Sequence, residues 1–156
     1  MVASGLCTTW MNSVLGELFG ATDLTAPATL YFGLCTSVAA DGTVTGEPTS
    51  GSYARKQITN DTSLWNTPAN GAVDNKAAIT FVEATGSWGA LDTFFIADHA
   101  TLGSTHIIAY GTLSVEKTIT EGDTAQFAAG ALNISLTATT ESALTEAGYV
   151  SVLGVG

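Results

Sequence analysis

The residues best suited to acid–base or metal chemistry gather in one stretch. Asp98 and His99 are adjacent, and His106 follows seven positions later. A carboxylate beside an imidazole is two members of a nucleophile–base–acid set, and the third must be a Ser or Cys brought in by the fold. No nucleophile-elbow sequence offers one. Asp98-His99 falls where a strand ends and a Gly103-containing hairpin loop begins, so an exposed loop pair is the expectation. His99 and His106 would share a metal only if the hairpin set them opposite one another, and no second pair of ligands accompanies them. The glycine-bearing stretches "GATDLT" and "GSWGAL" lack both the spacing and the lysine of a phosphate-cradling loop. No catalytic residue, metal or cofactor is therefore expected.

Arg55 and Lys56 raise a second possibility, a phosphate contact. They are two of only four basic residues, set against fourteen carboxylates and a formal net charge of −10. Nucleic-acid backbones are bound largely by Lys and Arg, so this balance argues against DNA, RNA or an anionic membrane as partner. The pair also divides on geometry. In a strand over Tyr53 to Thr59, side chains alternate: Tyr53, Arg55 and Gln57 share one face, Ala54, Lys56 and Ile58 the other. Arg55 then reads as an anchored arginine forked onto a carboxylate, with Asp123, Glu83 or an acid of a neighbouring chain as candidates. Lys56 reads as a solvated or rim charge.

Trp65 and Trp88 lie in Gly/Thr/Ser-rich surroundings, where carbohydrate-binding aromatics occur. A core or subunit-contact role is the competing reading. Charged residues make up 12 % of the chain, about half the usual share of roughly 25 %. Either much of the surface is covered by other protein, or this is simply a Thr-rich β-protein. Cys7 and Cys35 are expected to be free thiols in a reducing compartment. Neither a secretory signal nor a membrane-length apolar run is evident, so a soluble protein is expected.

Around these residues the hydrophobic pattern predicts one helix and many strands. From Thr8 to Phe19, Trp10, Met11, Val14, Leu15, Leu18 and Phe19 recur on one helical face, and Gly20 supplies a stop. That face either closes the domain's own core or meets neighbouring copies. Strands are predicted at Ala28–Thr36, Tyr53–Thr59, Ala77–Val82, Thr93–Ala97, Ile107–Thr112, Lys117–Thr120 and Ala131–Thr137. Turn signals stand between them at Asn70-Gly71, Gly86, Gly103 and Glu121-Gly122-Asp123. The expectation is a mainly β, single-domain antiparallel sandwich or barrel (jelly-roll-like) over residues 1–137, with one N-terminal amphipathic helix. Residues 138–156 form an extension whose end, Tyr149, Val150, Ser151, Val152 and Leu153, is β-prone and uncharged. It is either a loose tail or an arm that adds a strand to a neighbour's sheet edge.

The stretches "APATLYFGLCTS", "SGSYARKQIT", "NKAAITFVEATGSWGALDTFFIAD" and "IIAYGTLSVEKTITEGDTAQFAAGALNISL" resemble, in this order, a family of small tailed-bacteriophage virion proteins. The matching positions are Tyr53, Arg55, Trp88, Gly89, Lys117, Gly122, Asp123, Phe127, Gly130 and Leu132, and the resemblance implies no catalytic residue among them. It implies a non-enzymatic virion protein, assembled in the host cytoplasm. The first expectation is a cement or decoration protein on the outer capsid surface, touching the major capsid protein and copies of itself (a homo-oligomer). The alternative is a tail-fibre or tail-tip protein that binds host glycan through Trp65 and Trp88. Fibres usually carry long stalks of repeats or heptads, and the absence of such a pattern leans towards cement.

Overall fold

Alternating apolar residues need two faces to bury, and here both faces of one sheet are buried. The computed structural model describes residues 5–20, 22–103 and 106–135. Its elements are β1 (Gly5–Leu6), α1 (Thr8–Phe19), β2 (Thr29–Cys35), β3 (Ser37–Val38), β4 (Val44–Thr45), β5 (Lys56–Thr59), β6 (Ala72–Asp74), β7 (Ile79–Thr80), β8 (Gly89–Ala97), β9 (Ile107–Ile119), β10 (Gln126–Phe127) and β11 (Asn133–Ser135). Five strands form the main sheet in the order β1-β9-β8-β2-β5, and every pairing is antiparallel. Three two-stranded ribbons, β7–β10, β6–β11 and β3–β4, complete the fold. The mainly β, antiparallel architecture with one N-terminal helix is as the sequence predicts.

Leu30, Phe32 and Leu34 of β2, with Leu91 and Ile96 of β8, face a large core that includes Leu64, Ile79, Phe81, Trp88 and Leu132. Cys35 of β2, with Phe95 and Ala97 of β8, faces a smaller core with Cys7, Val38, Ile107 and Tyr110. Gly33 lies on this second face. A Cβ there would fall inside the van der Waals envelope of the Phe95 ring, so the glycine is what leaves room for the far end of that ring. The Asn70-Gly71 turn forms as its composition demands, both residues taking positive φ (52° and 74°).

Several elements differ from expectation in extent. The strand predicted from Tyr53 begins at Lys56, and burial changes phase there. Tyr53 and Arg55 are buried, whereas beyond them Lys56 and Ile58 are half-buried and Gln57 is exposed. The two strands predicted over 107–120 are one, because the chain stays extended through Leu113–Glu116 although these residues bulge opposite Asp92 of β8. The helix occupies its predicted span, yet none of its residues is fully buried. Met11, Leu15, Leu18 and Phe19 are exposed, Phe19 by 83 %, while Trp10 and Val14 are half-buried. Its apolar face therefore does not close the domain's core. The short strand β1 and buried Cys7 bring α1 to the sheet edge and leave that face turned outward.

Replacing Gly33 by Ala forces Phe95 out of its position. The expected loss is about 1–3 kcal/mol, the range for overpacked cores, read by chemical denaturation of G33A against the parent chain.

Candidate functional site

Of the predicted site residues, Arg55 is the charged side chain that the fold buries. Its Nε donates to Glu47 Oε1 at 2.7 Å and its Nη2 to Glu47 Oε2 at 2.9 Å, a two-pronged pair with both side chains essentially withdrawn from water. Nη1 donates to the His99 carbonyl at 2.9 Å, and the guanidinium lies 4.7 Å above the Phe95 ring centroid. Glu47 Oε2 also accepts from the Gly103 backbone N–H at 2.7 Å. The carboxylate that Arg55 forks is thus Glu47, not the expected Asp123 or Glu83. Asp123 sits in an exposed turn, where its Oδ2 accepts from the Thr120 N–H and hydroxyl, each at 2.8 Å. Those bonds, the backbone one foremost, hold its carboxyl below the usual range.

Tyr53 completes the arrangement. β2 pairs with β5 as far as Phe32 opposite Lys56. Beyond that register the Tyr53 hydroxyl takes over, accepting from the Leu34 N–H at 2.9 Å and lying 3.2 Å from the Leu34 carbonyl. A side chain thus meets backbone groups that a strand would otherwise pair. Burial is the main cause that pushes the Tyr53 phenol well above its ordinary value.

The two tryptophans separate. Trp88 is buried, with its indole N–H donated to the Gly51 carbonyl at 2.8 Å and its ring edge-on to Tyr53 at 5.1 Å. It is not available to a glycan. Trp65 is half-buried against Phe32, its N–H donated to Asn60 Oδ1 at 3.0 Å. It lines a cleft of about 600 Å³ together with Asn60, Asp61, Asn66 and Lys76. Tyr149, Val150, Val152 and Leu153 lie outside the described residues.

The hairpin does bring His99 and His106 together, ring centroids 5.0 Å apart, and His106 Nδ1 lies 3.3 Å from Asp98 Oδ1. Among the described residues, however, no group of three or more His, Cys, Asp or Glu is arranged to hold a metal.

Two structural polar residues escape sequence reasoning. Glu47 sits in a Gly/Thr/Pro-rich loop with no periodicity to mark it, and only the need of a buried arginine for an acid points there. Asn75 is fully buried. Its Nδ2 donates to the Ala77 and Ala128 carbonyls and its Oδ1 accepts from the Leu132 N–H, all at 2.8 Å. It thereby ties the loop before β11 to the connection between β6 and β7.

Both cysteines are buried and free. Burial pushes the Cys7 thiol up to about 11, aided by the charge of Asp41, and the Cys35 thiol up to about 12, aided by Glu47. A folded pKa raised above the ordinary 9.0 stabilises the fold fully below that value, and the contribution is lost as pH climbs through the folded values.

Arg55→Met strands a buried carboxylate and costs about 3–5 kcal/mol. Adding Glu47→Gln recovers part of that loss, with a coupling of ~1 kcal/mol or more in a double-mutant cycle. Separately, unfolding free energy declines above pH 9, and the slope is shallower in a Cys7→Ala/Cys35→Ala variant. Denaturant titrations across alkaline pH would measure it.

The family model described as podophage GP4 fiber I protein gp80 matches residues 5–135. No curated protein matches the chain.

Proposed function

Because the chain belongs to the podophage GP4 fiber I protein gp80 family, a family of small tailed-phage virion proteins, we propose that it is a non-enzymatic structural component of the virion's fibre apparatus, fastened to a larger virion protein through the apolar face of α1. The observation that carries this reading is the stripe of Met11, Leu15, Leu18 and Phe19 left facing water. Buried in a joint, such side chains each contribute about 1.5–3 kcal/mol. The family's description as a fibre protein supports a partner within the fibre. The strongly acidic balance suits an outward position away from the packaged genome.

A capsid-cement role draws on the same exposed stripe, since a compact acidic domain spanning capsid joints would also present an apolar face. It differs in copy number. Host-glycan recognition is supported by one feature, the Trp65 cleft with its amides, carboxylate and lysine, a mixture of apolar platform and hydroxyl partners. Trp88 has no part in it.

In purified virions, a copy number far below that of the major capsid protein, lost when tails are removed, is expected for a fibre component. Parity with the capsid protein on tail-free heads would establish cement instead. Leu15→Asp/Leu18→Asp should leave thermal stability within a degree or two, because both residues are already exposed. Its incorporation into particles, read by mass spectrometry, should fall about tenfold or more.

A further inference from the structure

Among the described residues, one side of the domain is open. Two cavities of about 550 and 650 Å³ run between the main sheet and the ribbon side, and they share Phe94, Thr112 and Asn133, so they form one groove. Phe127, Leu132 and Val115 add apolar lining. Val115 is 60 % exposed, a large apolar side chain with nothing over it among the described residues.

The groove is bordered by unpaired strand edges. β9 pairs with β8 on one side. On the other, β1 covers only Ala109 and Tyr110. From Gly111 to Ile119 that edge has no strand beside it among the described residues, and Leu113–Glu116 have no counterpart in β8. Among the described residues β11 pairs with β6 alone. An open edge of this length is a template for another strand, and folded proteins normally cover or interrupt one.

We propose that the groove beside β9 receives the segment Tyr149–Leu153 of a second copy, added as a strand to the β9 edge. The described chain reaches Ser135, which itself lines the groove, and the β-prone segment follows after residues 136–148. Fully extended, that spacer reaches up to ~45 Å, more than the ~36 Å breadth of a domain this size. A strand returning beside β11 in its own chain would need only a turn of about 2–5 residues, so the spacer suits a crossing between copies. In extended form Val150 and Val152 share one face, and the segment carries no charge to bury. Backbone hydrogen bonds to β9 would supply affinity, and Phe94, Phe127 and Leu132 an apolar floor for the two valines. Exchange of arms around a closed ring satisfies every copy's edge.

The test uses the full chain. Light scattering should give a mass that is a small multiple of the monomer. Val150→Pro/Val152→Pro removes strand donors from the arm, and Val115→Asp places a charge on an already exposed position of the groove. Each is expected to shift the mass to the monomer, and hydrogen exchange at Gly111–Val115 should quicken at least about tenfold. Three results would overturn the proposal. One is a monomeric parent chain, including one in which the proline variant still loses β9 protection, because the arm then fills its own groove. Another is an oligomer indifferent to both variants. The third is an oligomer dissociated only by Leu15→Asp/Leu18→Asp, which would assign self-association to α1.

Discussion

The buried pairing of Arg55 with Glu47 is the interaction around which this fold is organised. Two charges withdrawn from water are costly, and their mutual attraction repays the cost only with good geometry and further hydrogen bonds. Both conditions are met: the fork is bidentate, and the remaining donors and acceptors reach His99 and Gly103. What the pair secures is registration. It fastens the connection between β4 and β5 and the hairpin after β8 to one point, and it holds Arg55 over Phe95.

From that point order spreads to both faces of the sheet. Phe95 is pressed between the guanidinium and the bare backbone of Gly33, which links the ion pair to the smaller core. Tyr53, two residues before Arg55, lies in the larger core and carries the edge of β2 onward with its hydroxyl. Asn75 does a comparable task on the far side, where three hydrogen bonds hold a loop that has little apolar surface of its own. Away from the long β8–β9 pairing, where strands are short and loops many, a few well-bonded polar side chains do the work of longer ladders.

The helix span, the core alternation of β2, the Asn70-Gly71 turn and the opposite fates of Arg55 and Lys56 were all legible in the sequence. These rest on local periodicity and stereochemistry. The partner of Arg55 was not, because Glu47 and Arg55 meet across a loop, and loop conformation leaves no periodic trace. The destiny of the helix face was ambiguous for a different reason. An apolar stripe states that something must cover it, and does not state whether that is the same chain. Trp65 and Trp88 have similar neighbours in sequence, yet one is sealed in the core and the other borders a cleft. Their difference is set by long-range packing against Tyr53 and Phe32.

The attachment of α1 has a mechanical consequence. The helix meets the sheet through β1, whose two residues pair with β9, through the Cys7 side chain sunk in the smaller core, and through Thr8 on the Ala40 carbonyl. Any tension on the helix is therefore passed to the longest strand of the domain within three residues. β9 lies antiparallel against β8 over most of its length, so the load is spread along a row of hydrogen bonds and not concentrated on one. The thiol of Cys7 acts as a rivet at the junction, and the small size of that anchorage makes it the place where the handle would part from the body first.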